Sequence, residues 1–254
     1  MRPLAALLSP VSRRLVYPGA GTRVPPEQTD LELRVGGVSL RGWEVNPGRA
    51  RALVYYGGNG EGLDWLVPVL GALLPDHTSY LVAYRGYGAS EGTPSERVLT
   101  SDALAVHDHA AARHPGPVDV FGRSLGSGVA VQVAVRRHVE RLVLVTPFDS
   151  LVATGADLFP RLPVRHLLLD RWDSAGVAHL LQARVLVVRA GRDALVRPPR
   201  TDRLLEVLPD DTLVVDLPEA AHGTLHEDAA YWPAIVGFLT TDQLAASDPI
   251  TGSD

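Results

Sequence analysis

The stretch Val118-Asp119-Val120-Phe121-Gly122-Arg123-Ser124-Leu125-Gly126-Ser127-Gly128-Val129-Ala130 carries the fold class of this chain. Its first four residues read as a buried strand, and the small and apolar residues from Leu125 onward read as the start of a helix. Between them two glycines flank a serine. A strand that turns into a helix within three residues leaves little room for side chains, hence glycine on both sides of Ser124. The turn lifts the hydroxyl out of the sheet edge, near the positive end of the following helix dipole. The Gly-x-Ser-x-Gly pattern alone is a weak signal; the strand before it and the helix after it give it weight. The bland alternative is an ordinary serine in a glycine-rich surface turn.

Outward from this point, strand-like runs at 52–56, 79–83, 118–121, 141–145, 184–189 and 212–216 alternate with helix-like stretches at 63–74, 95–114, 125–138, 200–208 and 231–239. That alternation predicts an α/β fold built on a parallel sheet. Upstream, 31–35 and 38–45 are separated by Gly36-Gly37 and read as an antiparallel hairpin. We therefore expect about eight strands, mostly parallel, with helices on both faces. The interval between Val145 and Arg184 is too long for an ordinary loop. Residues 147–182, which include Leu158, Phe159, Leu162 and Trp172, read as a small helical lid. With a core at about 31–239, a loose polar tail at 240–254 and no internal repeat, residues 1–254 are expected to form one domain.

The composition narrows the chemistry. With 254 residues, 46% hydrophobic and 21% charged, the chain matches a globular protein rather than a disordered one. It has no cysteine, which excludes disulfide frameworks, thiolate zinc sites and cysteine nucleophiles. All 24 Lys+Arg residues are arginine, which excludes Schiff-base lysines, a P-loop lysine and serine–lysine dyads. A formal charge of −5 offers no footprint for nucleic acid. No window approaches the roughly 20 apolar residues of a membrane-spanning helix. Within residues 1–18 the apolar run Leu4 to Leu8 is shorter than the roughly 7–15 residues of a signal-peptide core, and Arg13-Arg14 follows it rather than precedes it. The expectation is a cytoplasmic protein without stable membrane insertion, a weak N-terminal membrane contact being the alternative. Oligomeric state is open.

A serine hydroxyl becomes a useful nucleophile only when a neighbouring base takes its proton. On a strand–serine–helix turn of this type, the partners follow in the order serine, acid, histidine, each beyond the carboxyl end of a later strand. Asp193 in Gly191-Arg192-Asp193 follows the strand at 184–189. His222 in Ala220-Ala221-His222-Gly223 follows the last strand. The expected roles are attack by Ser124, proton transfer by His222, and orientation and charge support by Asp193. Asp149, just after the strand at 141–145, is the competing acid, and His226 the competing base. Acyl transfer also needs donors aimed at the developing oxyanion. The backbone N–H of Leu125 is one candidate. The glycine-rich run Gly57-Gly58-Asn59-Gly60-Glu61-Gly62 supplies the other, at the N–H of Asn59. That run matches neither a dinucleotide fingerprint nor a Walker A motif.

Taken together, Gly57-Gly58-Asn59, Tyr84-Arg85-Gly86-Tyr87-Gly88-Ala89-Ser90-Glu91-Gly92, Gly122-Arg123-Ser124-Leu125-Gly126, Thr146-Pro147-Phe148, Gly191-Arg192-Asp193 and Ala221-His222 resemble the alpha/beta-hydrolase superfamily. More narrowly they resemble its short-lid branch of bacterial serine hydrolases and eukaryotic depalmitoylases. The resemblance spans about 31–239. It implies hydrolysis of an ester, thioester or amide through a covalent acyl-enzyme, without a cofactor, on a small-molecule acyl substrate. Three positions depart from it: Gly57 where the family usually has histidine, Ala83 where it has aspartate, and Arg184 where proline is common. The first leaves the rigidity of the oxyanion loop open.

The expected reaction is carboxylester cleavage, with thioesterase, serine peptidase or a non-catalytic binding protein on the same scaffold as alternatives. Gly58, Arg123, Phe148, Leu158 and Phe159 are the expected substrate contacts. No metal site is expected. His107 and His109 lie two apart on a helix and face different ways, and His222 and His226 lack a third ligand.

Overall fold

The computed structural model describes residues 16–241. The N-terminal stretch read as a weak membrane contact and the polar tail lie, apart from 16–18 and 240–241, outside the described residues. Strands β1 (Leu31–Val35) and β2 (Val38–Val45) form the expected hairpin. Gly36 and Gly37 take φ of 57° and 79° at its turn, a region open to glycine at little steric cost. β3 (Arg51–Tyr56), β4 (His77–Val82), β5 (Val118–Arg123), β6 (Arg141–Val145), β7 (Arg184–Ala190) and β8 (Leu213–Leu217) complete one sheet. The eight strands lie in the order β1-β2-β4-β3-β5-β6-β7-β8. The two pairings made by β2 are antiparallel, and every other is parallel.

Helices α1 (Leu66–Leu73), α2 (Glu96–Arg113), α3 (Leu125–Ala134), α4 (Leu151–Leu158), α5 (Val164–Leu167), α6 (Pro198–Leu205) and α7 (Tyr231–Thr240) are spread along the chain. The two-residue period of the strands divides the core. Ala52, Val54 and Tyr56 pack with Leu99 and Ala103 of α2, Val129 and Val133 of α3, and Leu204 of α6. Leu53 and Tyr55 face the other way, toward Leu66 and Leu70 of α1 and Ile235 and Phe238 of α7. Strands covered on both faces bury every residue, so they read as continuous apolar runs rather than alternating ones. Each buried leucine or valine contributes roughly 1.5–3 kcal/mol relative to exposure. The helix expected to 138 ends at Ala134, where the N–H groups of Arg136 and Arg137 both turn back to the Val133 carbonyl.

The stretch between β6 and β7 holds α4, α5 and a 3-10 turn at Ala178–Leu180. Its base is anchored in the core. The Trp172 ring is fully buried, and Phe148 and Trp172 both lie against Gly128 of α3. Trp172 Nε1 donates to Tyr17 Oη (3.0 Å), which in turn donates to Asp170 Oδ2 (2.8 Å).

Candidate active site

Three loops at the carboxyl ends of the parallel strands converge. The first is the turn between β5 and α3. Here Ser124 holds φ 52° and ψ −117°, a conformation that costs a non-glycine residue roughly 1–3 kcal/mol and persists only where the surroundings enforce it. They do so through the Ser124 N–H to the Val145 carbonyl (2.9 Å), and through the Ser124 carbonyl, which accepts from Ser127 N–H (2.9 Å) and Ser127 Oγ (2.6 Å). The flanking glycines permit the sharp turn. A Cβ on Gly122 would overlap the Gly126 carbonyl, and one on Gly126 would overlap the Tyr56 carbonyl of β3.

The second loop follows β7 and carries Asp193, almost wholly buried. Its Oδ1 accepts the backbone N–H groups of Leu195 and Val196, both at 2.8 Å. The third follows β8 and carries His222. The second and third loops are tied together by Gly191 N–H to the Leu217 carbonyl (2.9 Å) and Arg192 N–H to the Ala220 carbonyl (3.0 Å). Between the three loops, His222 Nδ1 lies 2.7 Å from Asp193 Oδ2 and His222 Nε2 lies 3.0 Å from Ser124 Oγ. A carboxylate only accepts, so Nδ1 carries the ring proton and Nε2 is left to accept from the serine hydroxyl.

These atoms open onto a cleft of about 610 Å³ lined by Gly58, Asn59, Arg123, Ser124 and His222 among others. Trp65, Leu195 and His226 also line it, with the Trp65 and His226 ring centroids 5.3 Å apart. The loop at 57–62 forms one wall. Glu61 in that loop pairs with Arg123, accepts the Gly58 N–H, and is bonded by the Tyr55 hydroxyl. Burial alone would lower the affinity of the Arg123 guanidinium for its proton, but the charge and hydrogen bond of Glu61 together with the Tyr55 and Tyr231 phenols outweigh it and raise the pKa. Burial, and then Glu61, push the Tyr55 phenol well above its ordinary value, so it remains a donor.

Of the residues singled out in the sequence, Ser124, His222 and Asp193 are brought into one hydrogen-bonded chain. Gly58, Asn59 and Arg123 line the cleft beside them. Leu125 is the first residue of α3. Asp149 lies elsewhere, accepting from Arg200 (3.0 Å) and from Ser150 N–H (2.8 Å). His226 sits at the cleft wall, in a 3-10 turn at Leu225–Glu227. Phe148, Leu158 and Phe159 do not line the cleft. Phe148 is buried against α3, Leu158 is half-buried at the end of α4, and Phe159 is exposed at the end of that helix. Glu61 was not singled out by its own signal; only an acid among glycines, three residues past Gly58, hinted at it. Among the described residues no cluster of three or more histidines and acids could hold a metal ion, and no helix is long and apolar enough to cross a membrane.

No protein-family model matches the chain. It is similar to an uncharacterized protein of Mycobacterium tuberculosis, Rv2307c, with 34% identity over 244 residues that cover 90% of this chain and 87% of that one. Its fold is similar to that of the Pyrococcus furiosus esterase Pf2001, with TM-score 0.67 and 18% identity, covering 85% of this chain and 92% of the esterase. The chain has the alpha/beta-hydrolase fold. Within the chain, a 75-residue segment is 49% identical to the mouse (Mus musculus) lysophosphatidylserine lipase ABHD12. That segment is 27% of this chain but only 19% of the lipase.

Proposed function

We propose that this chain, which has the alpha/beta-hydrolase fold, is a serine hydrolase of that superfamily that cleaves a carboxylester or related acyl bond through an acyl-enzyme on Ser124. The observation that carries the proposal is the hydrogen-bonded chain from the Asp193 carboxylate through the His222 ring to the Ser124 hydroxyl, at 2.7 and 3.0 Å. As Ser124 Oγ bonds to the acyl carbon, its proton passes to His222 Nε2. The tetrahedral intermediate then collapses: the bond to the leaving oxygen breaks, and that oxygen takes the proton from Nε2. A water attacks the acyl-enzyme by the same base, releasing the acid and restoring Ser124. Asp193 holds the ring tautomer and supports the imidazolium charge.

The Leu125 N–H, at the first position of α3, has no intrahelical acceptor and suits an oxyanion donor. Asn59 N–H from the facing loop is assigned as the second; losing one such donor costs roughly 3–4 kcal/mol. The proposal takes the substrate to be a small acyl ester or thioester, handled in the cytoplasm by one domain in which residues 147–182 form a small lid. The segment similar to a lysophosphatidylserine lipase supports acyl-ester chemistry. It spans too little of that protein to carry a headgroup preference.

The test is covalent labelling by a fluorophosphonate probe together with turnover of p-nitrophenyl acetate and butyrate. Wild-type protein should be labelled and active, and Ser124→Ala should lose both, with kcat reduced roughly 10⁶-fold. A non-catalytic binding protein would leave the wild type unlabelled and inactive.

A further inference from the structure

The Glu61 carboxylate is buried in the cleft wall, its side chain only 6% exposed. Its Oε2 accepts Gly58 N–H at 2.5 Å, and the Tyr55 hydroxyl lies 3.0 and 3.1 Å from its two oxygens. Arg123 Nη1 lies 3.2 Å from Oε1. The other terminal nitrogen of Arg123, Nη2, donates to the backbone carbonyl of His222 at 3.0 Å. One ion pair therefore touches the oxyanion loop, the residue preceding the nucleophile, and the backbone of the general base. These three sites belong to different loops, and Gly58 and His222 are far apart in sequence.

Gly57 has no side chain with which to stiffen the loop. The loop is held instead by the Tyr84 hydroxyl on the Gly57 carbonyl (2.9 Å) and by Glu61 on the Gly58 N–H. A buried ion pair is an expensive way to gain stability, and apolar residues of similar volume often do as well. What it supplies is a fixed geometry, because a planar guanidinium with two engaged nitrogens permits few orientations.

We propose that Glu61 and Arg123 are positioning residues: Glu61 sets the oxyanion loop through the Gly58 N–H, and Arg123 locks the His222 backbone to that loop and to Ser124. This rests on the serine-hydrolase reading above. Arg123 then acts through the protein rather than as a substrate contact, since Nη1 and Nη2 are both engaged within it.

The experiment is steady-state hydrolysis of p-nitrophenyl butyrate by wild type, Glu61→Gln, Arg123→Met and the double variant, with kcat expressed per site titrated by the fluorophosphonate probe. A displacement of about an ångström in a catalytic constellation costs roughly 10²-fold, and that loss is expected in kcat per site for each single variant. KM should stay nearly unchanged, because the interaction serves the transition state. The double variant should be little worse than the worse single one, because both break the same bridge.

A purely structural role would instead lower the melting temperature and the number of titratable sites while each remaining site kept wild-type kcat. That result, or fully additive losses, would overturn the proposal. If Glu61→Gln does not fold, Arg123→Lys carries the test. An ammonium can neutralise Glu61 but lacks the fork that also reaches the His222 carbonyl, so kcat per site should fall with KM unchanged, and wild-type kcat would overturn the proposal. A wild type that does not react with the probe refutes the underlying serine-hydrolase reading, and this inference with it.

Discussion

Replacing Asp193 by asparagine separates the geometry of the site from its proton logic. Asp193 Oδ1 accepts from Leu195 N–H and Val196 N–H, while Oδ2 faces His222 Nδ1. In the variant one of these oxygens becomes an NH2 group. Turning that group toward the two backbone donors would leave both without an acceptor, at about 1–3 kcal/mol each, or about 2–6 kcal/mol together. The amide oxygen therefore stays on the backbone, and the NH2 group points at the His222 ring. Nδ1 must then accept rather than donate, which moves the ring proton to Nε2. An Nε2–H cannot take the proton of Ser124. The side chains remain in place, yet kcat should fall roughly 10⁴-fold, equivalent to about 5.5 kcal/mol of transition-state stabilisation. The assay is p-nitrophenyl butyrate hydrolysis beside a thermal melt, with Asp149→Asn as the companion. Asp149 is engaged with Arg200 and the Ser150 N–H, away from the histidine, so its variant should keep kcat per folded molecule. Near-wild-type activity in Asp193→Asn with a severe loss in Asp149→Asn would refute the reasoning and move the acid role to Asp149.

Three further outcomes follow from the packing. Gly126→Ala places a methyl group on the Tyr56 carbonyl of a fully buried strand, so it should cost at least about 1–3 kcal/mol in denaturant titration and abolish labelling; a stable, labelled variant would contradict the tight turn. Trp172→Ala should cost about 3–5 kcal/mol while leaving kcat per titrated site close to wild type, because the ring is buried beside α3 and does not line the cleft. His107 is buried on α2, and desolvation lowers its pKa below the usual imidazole value despite the opposing charge of Asp108. The unfolded chain therefore takes up a proton near pH 6.5 that the folded chain refuses, so the stability from keeping this ring neutral is complete above that pH and drains away as pH falls. His107→Leu should flatten the acid side of the stability–pH curve by up to about 1.4 kcal/mol per pH unit, as read by urea titrations between pH 5 and 7.

The sheet was legible because its central strands are buried on both faces, so 52–56, 142–145 and 185–188 read as unbroken apolar runs between helical stretches, and 118–121 is interrupted only by the buried Asp119. The Ser124 turn was legible for a related reason: two backbone segments approach so closely that glycine is forced on either side of the serine. Asp193 and Asp149 both follow strands and look alike in sequence. What distinguishes them is Arg200, distant along the chain, which pairs with Asp149 and not with Asp193. The apolar residues between β6 and β7 were harder still. Hydrophobicity has no direction in an irregular segment, so Phe148, expected to contact the substrate, instead lies in the core against α3 beside Trp172. Glu61 escaped notice because its bonding partners, Tyr55, Gly58 and Arg123, include one brought to it only by the sheet.

The most direct test of the central claim is mass spectrometry of the intact protein after exposure to a fluorophosphonate at neutral pH. The account predicts a single adduct located on Ser124, lost in Ser124→Ala and slowed severely in His222→Ala. An unmodified wild type, or an adduct carried by any other residue, would contradict it.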